Sequence, residues 1–166
     1  MQRFQAASTH PKTTNQTTMP ILAIDTSTQY LSLALHAHGK TQLYHAEAGN
    51  HQSQHILPQI QALLAQAQIQ AADLSAIVYA QGAGAFTGLR IGIGIAQGIA
   101  TPYNTPLIGI PCQDAVAYQI PNHPCVLAAT DARMGEVFYA FFNTQTHQRL
   151  SSYKVAKPAD IRQPEN

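Results

Sequence analysis

The chain has 166 residues and a mass of 17.9 kDa, is 45% apolar and only 10% charged, and carries a net charge of +1. That is room for one ordinary domain, too apolar for a disordered chain, and too balanced in charge for bulk attraction to nucleic acid or anionic lipid. Two cysteines, Cys112 and Cys125, exclude a disulfide scaffold, and no apolar run reaches the roughly 18 residues of a membrane helix, so a soluble cytoplasmic protein is expected.

Residues 1–18 are polar, contain no acid and lack the apolar core of a secretory signal. They read as a disordered extension or an upstream start ahead of Met19, with an organellar transit peptide as the minor alternative. Ile21–Asp25 is a short apolar run ending in an acid. Leu31, Leu33 and Leu35 then alternate with small or polar residues, and a Gly39-Lys40 turn leads into Thr41–Ala46. Period-two patterns separated by a glycine turn predict three antiparallel strands.

From Ile56 the period changes to that of an amphipathic helix through Ile60, Leu63, Leu64 and Ala67, with Pro58 expected in its first turn. Ala76–Ala80 predicts a strand, Gly82–Gly88 a glycine loop and Arg90–Ala100 a helix with Ile91, Ile95 and Ile99 spaced by four. Pro106–Ile110 and Pro111–Gln119 follow as strand and helix. Cys125–Asp131 repeats the opening theme of an apolar strand ending in Asp. Glu136–Phe142 and Arg149–Val155 alternate as strands, and Pro158–Asp160 opens a helix. Three antiparallel strands followed by αβαβα make a ribonuclease-H-like unit. Asp25 and Asp131 mark two copies of it, the second cut short. This predicts a first domain over 19–121, the start of a second over 122–166, and Val137, Tyr139 and Phe141, or their opposite-face neighbours, left exposed unless another chain covers them.

Between Leu74 and Thr130 the only charges are Arg90 and Asp114, so this stretch is expected to be buried or covered by another protein. The glycine loop before the Arg90 helix offers a possible anion site, but it has neither the Walker lysine nor the dinucleotide spacing, and tight loop geometry explains its glycines better. Gly92, Gly94 and Gly98 each cost a helix about 1 kcal/mol. Gly94 and Gly98 share a face, which packs closely either on the preceding helix or on a partner chain. His51 and His55 have helical metal-ligand spacing without a third ligand, and read instead as exposed or capping residues. Asp25, Thr26 and Ser27, with Asp131 and Arg133, could either hold a magnesium nucleotide between the halves or close turns through their carboxylates.

Leu22–Thr28, Phe86–Gly98 and Asp131–Phe138, with the Ser53–Pro58 segment, resemble the TsaB family in order and spacing. The resemblance implies an actin-like ATPase fold (ASKHA) and a non-catalytic subunit. Such a subunit pairs with a TsaD-type protein, alongside a TsaE-type ATPase, to support threonylcarbamoyl transfer onto the tRNA adenosine beside the anticodon. It further implies indirect tRNA contact, a homodimer through the same helices, no membrane, no required cofactor and no peptidase site. Carried over, the partner face comprises Ile56, Ile60, Leu63 and Leu64 on one helix and Arg90, Ile91, Gly94, Ile95 and Gly98 on the other. The sequence departs from the family where Gly-Pro-Gly-Ser-Phe-Thr-Gly reads Gly82-Ala-Gly-Ala-Phe-Thr-Gly88, and where Gln52 replaces a histidine. A magnesium-nucleotide-dependent ATPase or phosphotransferase using Asp25 and Asp131 is the alternative, and a His51/His55 metal hydrolase ranks third.

Overall fold

The computed structural model describes residues 19–164. Strands β1 (Ile21–Asp25), β2 (Tyr30–Ala37) and β3 (Lys40–Glu47) form an antiparallel meander. β4 (Ala76–Gly82) and β5 (Leu107–Pro111) add to the other side of β1 in parallel, giving the order β3-β2-β1-β4-β5. Parallel pairs need crossovers, and helices α1 (Gln52–Gln66) and α2 (Phe86–Ala100) flank β4 in the chain. This is the first unit expected from the sequence.

Its core follows from register. Pairing of Leu22 with Leu35 and Ile24 with Leu33 puts the β1 and β2 leucines and isoleucines on one face, joined by Leu31 and Ile77. Ile56, Ile60, Leu63 and Leu64 of α1 and Ala96 and Ala100 of α2 cover that face. Each large aliphatic side chain buried there stabilises the fold by about 1.5–3 kcal/mol.

A short helix α3 (Cys112–Ala117) leads to a second sheet, in which β6 (Val126–Arg133) pairs with β7 (Glu136–Asn143). The other edge of β7 takes β8 (Gln148–Arg149) and β9 (Lys154–Ala156). Val126, Ala128, Ala140 and Phe142 make a small core with Ala117 of α3.

Five expectations need correction. α1 begins at Gln52, so Pro58 lies inside the helix rather than in its first turn. α2 begins at Phe86, within the stretch expected to be loop. The strand expected over 149–155 is broken between β8 and β9, where the Ser151 hydroxyl accepts the Phe141 N–H at 3.0 Å in place of a ladder bond. Tyr139 and Phe141 are buried, not exposed, their rings packed edge to face at 6.2 Å, and Val137 is half-buried. On the opposite face α3 supplies the cover, and Gln163 brings the C-terminal segment back to Cys125 at 3.6 Å. Pro158–Asp160 forms only a single 3-10 turn. The reading of residues 1–18 lies outside the described residues.

Candidate functional site

The turn after β1 meets the N-terminal end of α2, and glycine makes the meeting possible. Thr26 donates its hydroxyl to the Gly88 carbonyl at 2.7 Å, and the Ala85 N–H donates to the Ser27 carbonyl at 2.6 Å. A Cβ on Gly84 would lie 2.6 Å from the Ser27 carbonyl oxygen, and one on Gly88 would overlap the Thr26 carbonyl oxygen. A Cβ on Gly92 would meet the Thr26 hydroxyl. Gly88, Gly92, Ala96 and Ala100 therefore form a buried row of small residues facing the sheet. Tight packing, rather than a ligand, accounts for Gly84, Gly88 and Gly92.

Gln52, which sequence reasoning treated only as a departure, is buried at 3% exposure. Its amide donates to the carbonyls of Thr28 at 2.7 Å and Tyr30 at 2.9 Å, tying the start of α1 to the β1–β2 turn. Nothing in the sequence marked it, because an uncharged amide carries no motif of its own.

Asp25 and Asp131 occupy equivalent turns. Asp25 Oδ1 accepts the Ser27 N–H at 2.8 Å, and Asp131 Oδ1 accepts the Arg133 N–H at 2.8 Å. Both carboxylates thus close i to i+2 turns at or near the end of the first strand of their unit. Arg133 also lies 3.5 Å from Asp131, with both side chains mostly in solvent, so the pair contributes little. The two turns and the glycine loop line a cleft of about 600 Å³ between the units.

A magnesium nucleotide, the ligand implied by the fold, does not fit this arrangement as a phosphate cradle. The space freed by Gly84 and Gly88 is taken by the β1–β2 turn, and the Ala85 N–H is already bonded there. Among the described residues no cluster of three or more His, Cys, Asp or Glu could hold a metal ion. His51 is the N-cap residue of α1 and His55 is exposed on it.

Cys112, at the start of α3, is buried. Burial pushes its thiol above the ordinary value; a hydrogen bond from Ser27 opposes this, and the Asp25 charge adds to it. The net shift favours the protonated thiol.

The residues expected to form a partner face divide into two sets. Ile56, Ile60, Leu63 and Leu64 cannot belong to it, because they are buried against the sheet. The stripe to which the resemblance carried the partner face is the inner face of α1, whose outer side shows Leu57. Ile91 and Ile95 are half-buried and pack on the core. Arg90, Gly94 and Gly98 are exposed on α2, and a Cβ at either glycine would meet nothing within 4 Å. The possibility that Gly94 and Gly98 pack on α1 is thereby excluded. The Arg90 guanidinium lies 3.7 Å from the centre of the Phe86 ring, which is itself 68% exposed.

Among the described residues no helix is long and apolar enough to cross a membrane. A family model described as TsaD, tRNA N6-adenosine threonylcarbamoyltransferase, matches residues 42–165. Over 125 residues the chain is 42% identical to the tRNA threonylcarbamoyladenosine biosynthesis protein TsaB of Escherichia coli (strain K12), covering 74% of this chain and 54% of that protein. It is 36% identical to the TsaB protein of Haemophilus influenzae, covering 74% of this chain and 53% of that one. The chain thus spans about half the length of the curated relatives it matches. The solved structure of YeaZ from Pseudomonas aeruginosa superposes with a TM-score of 0.78 at 32% identity, covering 89% of this chain and 72% of that one. Strand order, paired aspartate turns and these similarities agree: the chain belongs to the TsaB (YeaZ) family, within the wider TsaD-type family, and has its actin-like ASKHA fold.

Proposed function

We propose that the chain acts as an accessory subunit that binds a TsaD-type protein and so supports threonylcarbamoyl transfer onto the tRNA adenosine next to the anticodon. The observation that carries this reading is the outer face of α2. Gly94 and Gly98 lie one turn apart, exposed and with open space where a side chain would stand, at a cost to the helix of about 1 kcal/mol each. A glycine pair that packs on nothing within its own chain suits close approach by a helix of another chain. Phe86, with Arg90 stacked on it, adds an aromatic and a cationic contact of the kind enriched at interface centres. A TsaE-type ATPase belongs to the same assembly, a second copy of the chain would compete for the same face, and tRNA contact is indirect.

The test is a calorimetric titration of the purified TsaD-type partner with the chain and with Gly94→Leu and Gly98→Leu variants. Each variant is expected to bind at least about tenfold more weakly, the loss of roughly 1.4 kcal/mol or more, while melting no lower than the parent chain. Unchanged affinity in both variants would remove the α2 face from the interface.

A further inference from the structure

We propose that the cavity between the carboxyl ends of β4 and β5 and the strands β7 and β9 binds a small planar aromatic acid with a hydrogen-bond donor opposite its carboxylate. This goes beyond the partner reading and does not depend on it. β1, β4 and β5 run parallel, and the crevice outside the carboxyl ends of parallel strands is where α/β sheets most often take ligands. The cavity there measures about 390 Å³, enough for a single-ring molecule. Its walls include Ala83, Pro111, Phe138 and Val155, and Gly82 opens the end of β4 at a φ of +114° that other residues rarely adopt.

Two polar groups at this cavity lack protein partners for part of their bonding capacity. Gln113 is 2% exposed and lines the cavity. Its amide nitrogen donates to Thr130 Oγ1 at 2.9 Å, while its carbonyl oxygen accepts no hydrogen bond among the described residues. Exchanging the amide's oxygen and nitrogen would still leave one end without a partner. The oxygen is not closed off from the cavity, so a ligand hydroxyl or amine would find an open acceptor there. Lys154 also lines the cavity, is exposed, and pairs with no carboxylate among the described residues. Its ammonium would receive an anionic end of the ligand. Tyr153 is held as a fixed wall: its hydroxyl donates to Asp114 Oδ1 at 2.5 Å, and the Arg149 guanidinium lies 4.2 Å from its ring centre. A pure hydrocarbon would satisfy neither the amide nor the ammonium, and a polyanion would find a single cation.

The experiment is titration of the full chain with para-hydroxybenzoate, followed by the backbone and side-chain amide resonances. The expected result is saturable shifts at the Gln113 side-chain amide and at Lys154 and Val155. Benzoate, which lacks the donor, should bind about tenfold more weakly. Lys154→Gln, an exposed change that leaves the fold intact, should weaken para-hydroxybenzoate by about fivefold or more. Absence of saturable shifts, equal binding of benzoate, or unchanged binding by the Lys154→Gln variant would each overturn the proposal.

Discussion

Thr26 and Gly88, 62 positions apart, are locked by the Thr26 hydroxyl donating to the Gly88 carbonyl at 2.7 Å, with no room for a side chain between them. The contact fixes where α2 starts and how close it lies to β1. Gly88→Ala should therefore destabilise the chain by about 3 kcal/mol, because backbone rather than a flexible side-chain end would have to move. On the same helix Gly94→Ala and Gly98→Ala should have the opposite sign, each stabilising by about 1 kcal/mol. Urea unfolding midpoints for the three variants check both signs.

Gln52 serves two carbonyls at once. Gln52→Leu keeps most of the volume but leaves both the Thr28 and Tyr30 carbonyls without that donor, with an expected loss of about 2–3 kcal/mol. Hydrogen exchange should show the loss as faster opening of the β1–β2 turn and the first turn of α1. Uniform acceleration across the whole chain would instead indicate only a global effect.

Pro58 stands inside α1, exposed, where it can donate nothing to the carbonyl of Gln54. Pro58→Ala restores that bond and should raise stability by about 1–2 kcal/mol, the helix gain being reduced by the greater freedom of the unfolded chain. A thermal melt of the variant, compared with the parent, reads the sign directly.

Cys112 gives a pH dependence. Burial raises its pKa above the ordinary 9.0 in the folded chain, so the folded state holds the proton that the unfolded state releases. Its stabilising contribution is complete below the unfolded pKa and is lost as pH rises through the folded one. Unfolding free energy should therefore fall above about pH 9, and the fall should be smaller in Cys112→Ala. Alkylation of the folded chain by iodoacetamide should correspondingly modify the half-buried Cys125 faster than Cys112.

The parts of the fold that could be read in advance were those with a clean period. The Leu31, Leu33 and Leu35 alternation and the Ile56 to Leu64 stripe each specify a buried face, and both faces are buried. The partner face carried over from the resemblance included this stripe, and its pattern gave no warning, since an apolar helical face looks the same whether its own sheet or a partner covers it. The start of α2 was hidden because Gly88, with Gly82 and Gly84, reads as a glycine loop, whereas contact with Thr26 makes glycine necessary at 88. The break between β8 and β9 was hidden because a serine hydroxyl stood in for a ladder partner. Gln52 and Gln113 were invisible for a simpler reason: their importance lies in what they bond, 22 and 17 residues away in the chain. The equivalence of Asp25 and Asp131, by contrast, was legible, and the matched turns give it a physical basis.

The six residues of α3 belong to both halves of the molecule. Ala117 is part of the second hydrophobic cluster, while Cys112 lies beside Asp25, Ser27 and Gly82 at the edge of the first. Losing this helix would uncover the second cluster and break the Cys112 contact with the first unit together. The two halves are thus thermodynamically yoked: denaturation should proceed as one cooperative event, and a protease nick in the 120–125 connection should not yield two independently surviving fragments.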